Sequence, residues 1–131
     1  MKNRFVVVFV LLIAVFLISF VPQYARAKRL EEELRAARQE NARAQLRDLA
    51  GLAYLEASQR NYGLTAEASN RFFDRARELA NQASDANGRK PLEELLSLRD
   101  RISAELAKGD PAVLNDLQAL FLKTRAATGS R

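Results

Sequence analysis

The sequence predicts an all-α protein: one N-terminal transmembrane helix, then a long helix and a small antiparallel helical bundle. Three observations carry that reading. Residues 5–21, FVVVFVLLIAVFLISFV, form an uncharged run of fifteen Leu, Ile, Val or Phe with Ala14 and Ser19. Beyond it, from Lys28 to Arg131, the strong helix formers Ala, Leu, Arg, Glu and Gln predominate and Val, Ile and Thr are scarce. No alternating apolar–polar stretch of strand length occurs there, and punctuation is limited to two prolines, Pro91 and Pro111, and five glycines. The expected organisation is a membrane anchor over 1–27, a long helix with coiled-coil character over 28–62, the bundle portion over 63–127, and a frayed tail over 128–131.

The apolar run is favourable to insert. Fifteen such side chains, at roughly −0.3 to −0.6 kcal/mol each near the bilayer centre, sum to about −4 to −9 kcal/mol as an upper bound. Its helical length is roughly 26 Å, at the short end for a bilayer core. Arg4, Arg26, Lys28 and Arg29 are the expected interfacial anchors, with Tyr24 placed where an interfacial aromatic belongs. A cleavable signal peptide competes with the anchor. Lys2 and Arg4 form a basic leader, Pro22 breaks the helix, and Ala25-Arg26-Ala27 fits the small-x-small cleavage pattern. The long apolar core and the basic Lys28-Arg29 just after the site favour retention. Counting basic residues puts two before the span and five soon after it, which points the helical domain into the cytoplasm; the leader-like start points it outside. The expectation adopted is a bacterial inner-membrane protein, single-pass, with the helical domain extracytoplasmic.

The long helix has Leu30, Leu34 and Ala37 at coiled-coil spacing before the heptad meets Asn41 and Asp48. Leu46, Leu49, Ala53 and Ala57 then make a cleaner stripe, broadened by Leu52 and Tyr54. This stripe packs into the chain's own bundle or serves a self-associating stalk. Glu31–Arg35, Glu40–Arg43, Glu67–Arg71 and Asp74–Arg77 are expected as solvated pairs worth a few tenths of a kcal/mol each. At Asn61-Tyr62-Gly63-Leu64-Thr65 the helix is expected either to break, with Gly63 left-handed and Thr65 capping the next helix, or to run on as one continuous helix that absorbs about 1 kcal/mol for the glycine. A second helix over 65–86 carries Ala68, Phe72, Phe73, Ala76, Leu79 and Ala83, and stops at Asn87-Gly88. A third starts at Pro91 and presents Leu92, Leu95, Leu96, Ile102 and Leu106. Lys108-Gly109-Asp110-Pro111 is the clearest boundary: Gly ends one helix, and Asp and Pro start the next. The last helix presents Val113, Leu114, Leu117, Leu120 and Phe121, to about Ala126. The expected core is Phe72, Phe73, Leu79, Leu95, Ile102, Leu106, Leu117 and Phe121.

Composition narrows the chemistry. The chain has no Cys, His or Trp. It therefore lacks thiolate nucleophiles, Cys-ligated metals and the commonest general base. The formal charge of +5 is concentrated beside the apolar run, because Lys2, Arg4 and Arg26 flank it; the rest is near balance, which reads against nucleic-acid binding. Glu31-Glu32-Glu33 and Glu93-Glu94 are the only carboxylate clusters. Neighbouring positions on a helix point about 100° apart, so they read as solvated faces rather than metal sites. No cofactor, metal or catalytic residue is expected. The architecture resembles that of small bacterial envelope proteins, including the cell-division coiled-coil type, and that likeness rests on no residue motif. The function expected is a membrane-tethered interaction or scaffold module of the envelope, with the lipid bilayer and either a protein partner or its own copies as partners. The alternative is a bundle that senses or carries a small apolar ligand, in a groove near Tyr54, Tyr62 and Phe72.

Overall fold

The structure, a computed structural model, describes residues 2–129, and of Val21 the backbone alone. The described residues form five α-helices and no strand: α1 Lys2–Ser58, α2 Tyr62–Gln82, α3 Ala86–Leu96, α4 Arg99–Lys108 and α5 Val113–Thr128. The chain divides into two units, Met1–Gln39 and Glu40–Arg131.

In the first unit α1 begins before the apolar run and passes through Pro22 without ending. Pro22 removes one ladder hydrogen bond, but the flanking residues stay helical, so the break expected there does not occur. The apolar side chains from Phe5 to Phe20 face outward, none of the large ones less than 45% exposed. This segment is long and apolar enough to cross a membrane, with mean hydropathy 3.1.

The second unit is a helical bundle with one contiguous core. Its α1 portion contributes Leu46, Ala50, Ala53 and Ala57, so the stripe read from the sequence is used internally. Phe72, Phe73 and Ala76 come from α2, Leu95 from α3, Ile102 from α4, and Val113, Leu117 and Leu120 from α5. Fully burying each large apolar side chain stabilises by about 1.5–3 kcal/mol. Of the expected core, Leu79, Leu106 and Phe121 are only half-buried and pack against its edge. The alanines let helices approach closely. The polar interior positions Thr65, Thr124 and Thr128 donate their hydroxyls to carbonyls four residues back, at 2.9, 2.7 and 2.7 Å, and are thereby satisfied.

Several boundaries differ from expectation. The chain reverses at Arg60, with φ 62°, rather than at Gly63. Arg60 N–H donates to Ala57 O (3.0 Å) and Asn61 N–H to Glu56 O (2.9 Å), a Schellman closure with arginine in the glycine position. Ala57 and Thr65 are both buried, so the reversal must fall between them; Gly63 lies in the first turn of α2 and Thr65 is inside that helix, not its cap. α2 stops at Gln82, before Asn87-Gly88. Arg89 closes its end by donating to Ala80 O (3.2 Å). α3 begins at Ala86 rather than Pro91, because the Asp85 carboxylate accepts from Gly88 N–H at 2.9 Å. The expected third helix is split at Ser97-Leu98 into α3 and α4. Gly109, φ 65°, ends α4 as expected, but α5 begins only at Val113 with Ala112 before it, so Asp110 does not cap that helix and Pro111 is not in its first turn. Asp110 instead accepts from Ala112 N–H at 2.9 Å within the connection. Thr128 is not frayed: it is buried in the last turn of α5, while Ser130 and Arg131 lie outside the described residues. Among the described residues the ion pairs formed are Arg29–Glu33, Arg47–Glu40, Arg75–Glu78, Arg99–Asp74 and Arg101–Asp116, not the four read from spacing. Long side chains choose among several neighbours, and tertiary approach brings partners that spacing alone does not.

Candidate functional site

Each unit presents one surface that its own fold does not consume. In the first it is the apolar span with its polar collar. Arg4, Arg26, Lys28 and Arg29 are exposed, and Tyr24 is 70% exposed. Arg29 Nε meets Glu33 Oε1 at 3.2 Å, so one of the collar's cations is neutralised within the helix. A wholly apolar helix surface is costly in water and favourable in hydrocarbon, with its backbone groups already paired internally.

In the second unit an open groove of about 470 Å³ runs between α1 and α5. Gly51, Leu52 and Leu55 form one wall and Phe121 the other, with Arg47, Asp48 and Arg125 supplying charge. The Phe121 ring is held against Tyr54, with centroids 6.4 Å apart and planes within 6°. Gly51 faces the ring closely: a Cβ there would stand 3.4 Å from Phe121 Cε2, in van der Waals contact with it. The Arg125 guanidinium lies 5.9 Å from the ring centroid, at the outer limit of cation–π attraction. Arg47 is pinned by donating to Thr128 O (2.8 Å) and to Glu40 Oε1 (3.1 Å), which ties α1 to the end of α5.

The three residues expected to share a ligand groove are not brought to this one together. Tyr54 buttresses it from behind through Phe121. Tyr62 is half-buried against the core. Phe72 is fully enclosed and meets Phe73 edge-on, at 5.2 Å and 85°, so it faces no open groove. Sequence reading missed Gly51, Leu55 and Arg125. The one hint was Gly51 inside an otherwise strong helix, a place where close approach is expected.

The third feature is electrostatic. Arg101 of α4 pairs with Asp116 of α5, Nη2 to Oδ1 at 2.7 Å. Glu105 stands beside this pair, with one carboxylate oxygen buried and without a hydrogen-bond partner. Burial pushes its carboxyl above the ordinary 4.5; the Asp116 charge and a hydrogen bond to that carboxylate act the same way, Arg101 opposes them, and Asp110 adds a little. Among the described residues no three His, Cys, Asp or Glu side chains gather as a metal site would require. Comparison with protein-family models, curated proteins and solved structures returns no match.

Proposed function

We propose that this chain is a membrane-tethered helical interaction or scaffold module of the cell envelope, single-pass and without catalysis. Its distal helices would form a small antiparallel bundle on the extracytoplasmic side of a bacterial inner membrane. The observation that carries the reading is the apolar segment of α1, none of it buried against the protein and flanked by basic residues. A bare surface of that kind has one ready occupant, hydrocarbon. The lipid bilayer is thus the first partner, and a protein or another copy of the chain the second.

Carbonate extraction of membranes holding the full-length protein tests the anchor. The chain should stay in the pellet with its intact mass. Release into the supernatant, or a mature N-terminus at Lys28, overturns the tether. Trypsin added to sealed spheroplasts, whose inner membrane is directly accessible, tests the side, because Arg60 lies in an exposed reversal. Cleavage there before lysis is expected, and protection until lysis would put the domain in the cytoplasm.

The groove beside Phe121 supports a second reading, a bundle that holds a small apolar or amphiphilic ligand. Saturable binding of an apolar fluorophore to the full chain distinguishes it from the first.

A further inference from the structure

Between the span and Gln39, α1 carries a pattern that membrane insertion does not require. Ala27, Leu30, Leu34 and Ala37 recur at alternating three- and four-residue spacing and so fall in one stripe. Leu30 is 64% and Leu34 51% exposed, so the chain itself does not cover this stripe. In heptad terms Ala27 and Leu34 are a positions, and Leu30 and Ala37 are d positions. Arg26 and Glu33 then take g, and Glu31 and Arg38 take e. In a parallel two-stranded coil each g side chain meets the next e side chain of the partner. Both such pairs are opposite in sign: Arg26 with Glu31, and Glu33 with Arg38. Within a single helix, residues at that separation point about 140° apart and do not meet. The pair formed within the chain is Arg29–Glu33, at the i,i+4 spacing. The g-to-e complementarity can be met by a second copy, with Glu33 exchanging its i,i+4 partner Arg29 for that copy's Arg38.

We infer that residues 27–38 pair with the same residues of a second copy as a parallel two-stranded coiled coil. Leu30 and Leu34 form the seam, and Arg26–Glu31 and Glu33–Arg38 bridge the chains on both flanks. The inference rests on the anchored reading above. Two copies held in one bilayer by their N-terminal spans present this segment in the same direction. They also meet at a raised effective concentration, which so short a seam requires. Lys28, Arg29 and Arg35, at b and c positions, remain outward.

The chain has no cysteine, so single substitutions report proximity without background. In full-length protein in phosphatidylcholine vesicles under mild oxidation, Leu30→Cys and Leu34→Cys should give disulfide-linked dimer. The yield should exceed several-fold that of Glu32→Cys and Gln39→Cys, which occupy the outer f positions. Glu33→Arg and Arg38→Glu should each lower the dimer fraction several-fold, and the double variant should restore it. A monomer, equal cross-linking at all four positions, or a double variant no better than the singles overturns the proposal. Carbonate extraction of the same vesicles separates the causes. A chain retained in the membrane that does not cross-link overturns the pairing alone. A chain released by carbonate overturns the anchoring, and the pairing with it.

Discussion

Glu105 is the side chain through which the distal unit should respond to pH. Its folded carboxyl sits above the ordinary 4.5, chiefly through burial and then through Asp116. The folded chain therefore keeps a proton that the unfolded chain has already released, in the window from about that ordinary value up to the raised one. Protonation favours the fold, and this contribution is lost as pH rises through the folded value. Glu105→Gln, a mimic of the protonated acid, should be more stable than the parent near neutral pH. The gap should close as pH falls toward the ordinary carboxylate range. Paired denaturant titrations from acid to neutral pH measure it, and a gap that does not change with pH would remove Glu105 as its source.

At the scale of elements, the helix ends hold more information than the helix middles. α4 ends on Gly109 with a left-handed backbone, which glycine adopts freely. α1 ends through the same closure with Arg60, and a side chain there bears about 1–2 kcal/mol of steric cost. Ala57 and Thr65 are buried on either side of the turn. Arg60→Gly should relieve that steric cost, less about 0.5–1 kcal/mol for the freer unfolded chain, for a net stabilisation between about 0 and 1.5 kcal/mol. A lower denaturation midpoint for Arg60→Gly would show that the reversal is unstrained. Asp85 makes a similar point at the start of α3: its carboxylate on Gly88 N–H turns an expected stop into a first turn.

For the whole molecule, the division into Met1–Gln39 and Glu40–Arg131 separates two kinds of stability. Every residue of the core cluster lies beyond Gln39. Residues 40–131 should therefore be soluble alone, remain helical, and unfold in one cooperative transition. Circular dichroism with thermal melting measures this, and a broad non-cooperative melt would mean that the first unit is needed for the second to fold. The first unit draws its stability from its surroundings instead. Its helix satisfies its own backbone, and its side chains need an apolar medium or a neighbour.

Sequence alone determined the helical class, the apolar run, and most of the core. Phe72, Phe73, Leu95, Ile102 and Leu117 were legible because apolar side chains at helical spacing must share a buried face, whereas Leu46 and Ala53 were legible only as a stripe open to the bundle or to a stalk. Gly109 was legible for a local reason, since its turn needs only residues close in sequence. Tertiary structure decided what depends on residues distant in the chain. It set the reversal at Arg60 rather than Gly63, and it exchanged the expected ion pairs for partners such as Asp116 with Arg101. It also enclosed Phe72 and formed a groove from Gly51 and Phe121 instead. Periodicity specifies which face of a helix is buried. It does not specify which other helix covers that face, and a groove between two helices exists only once that is settled.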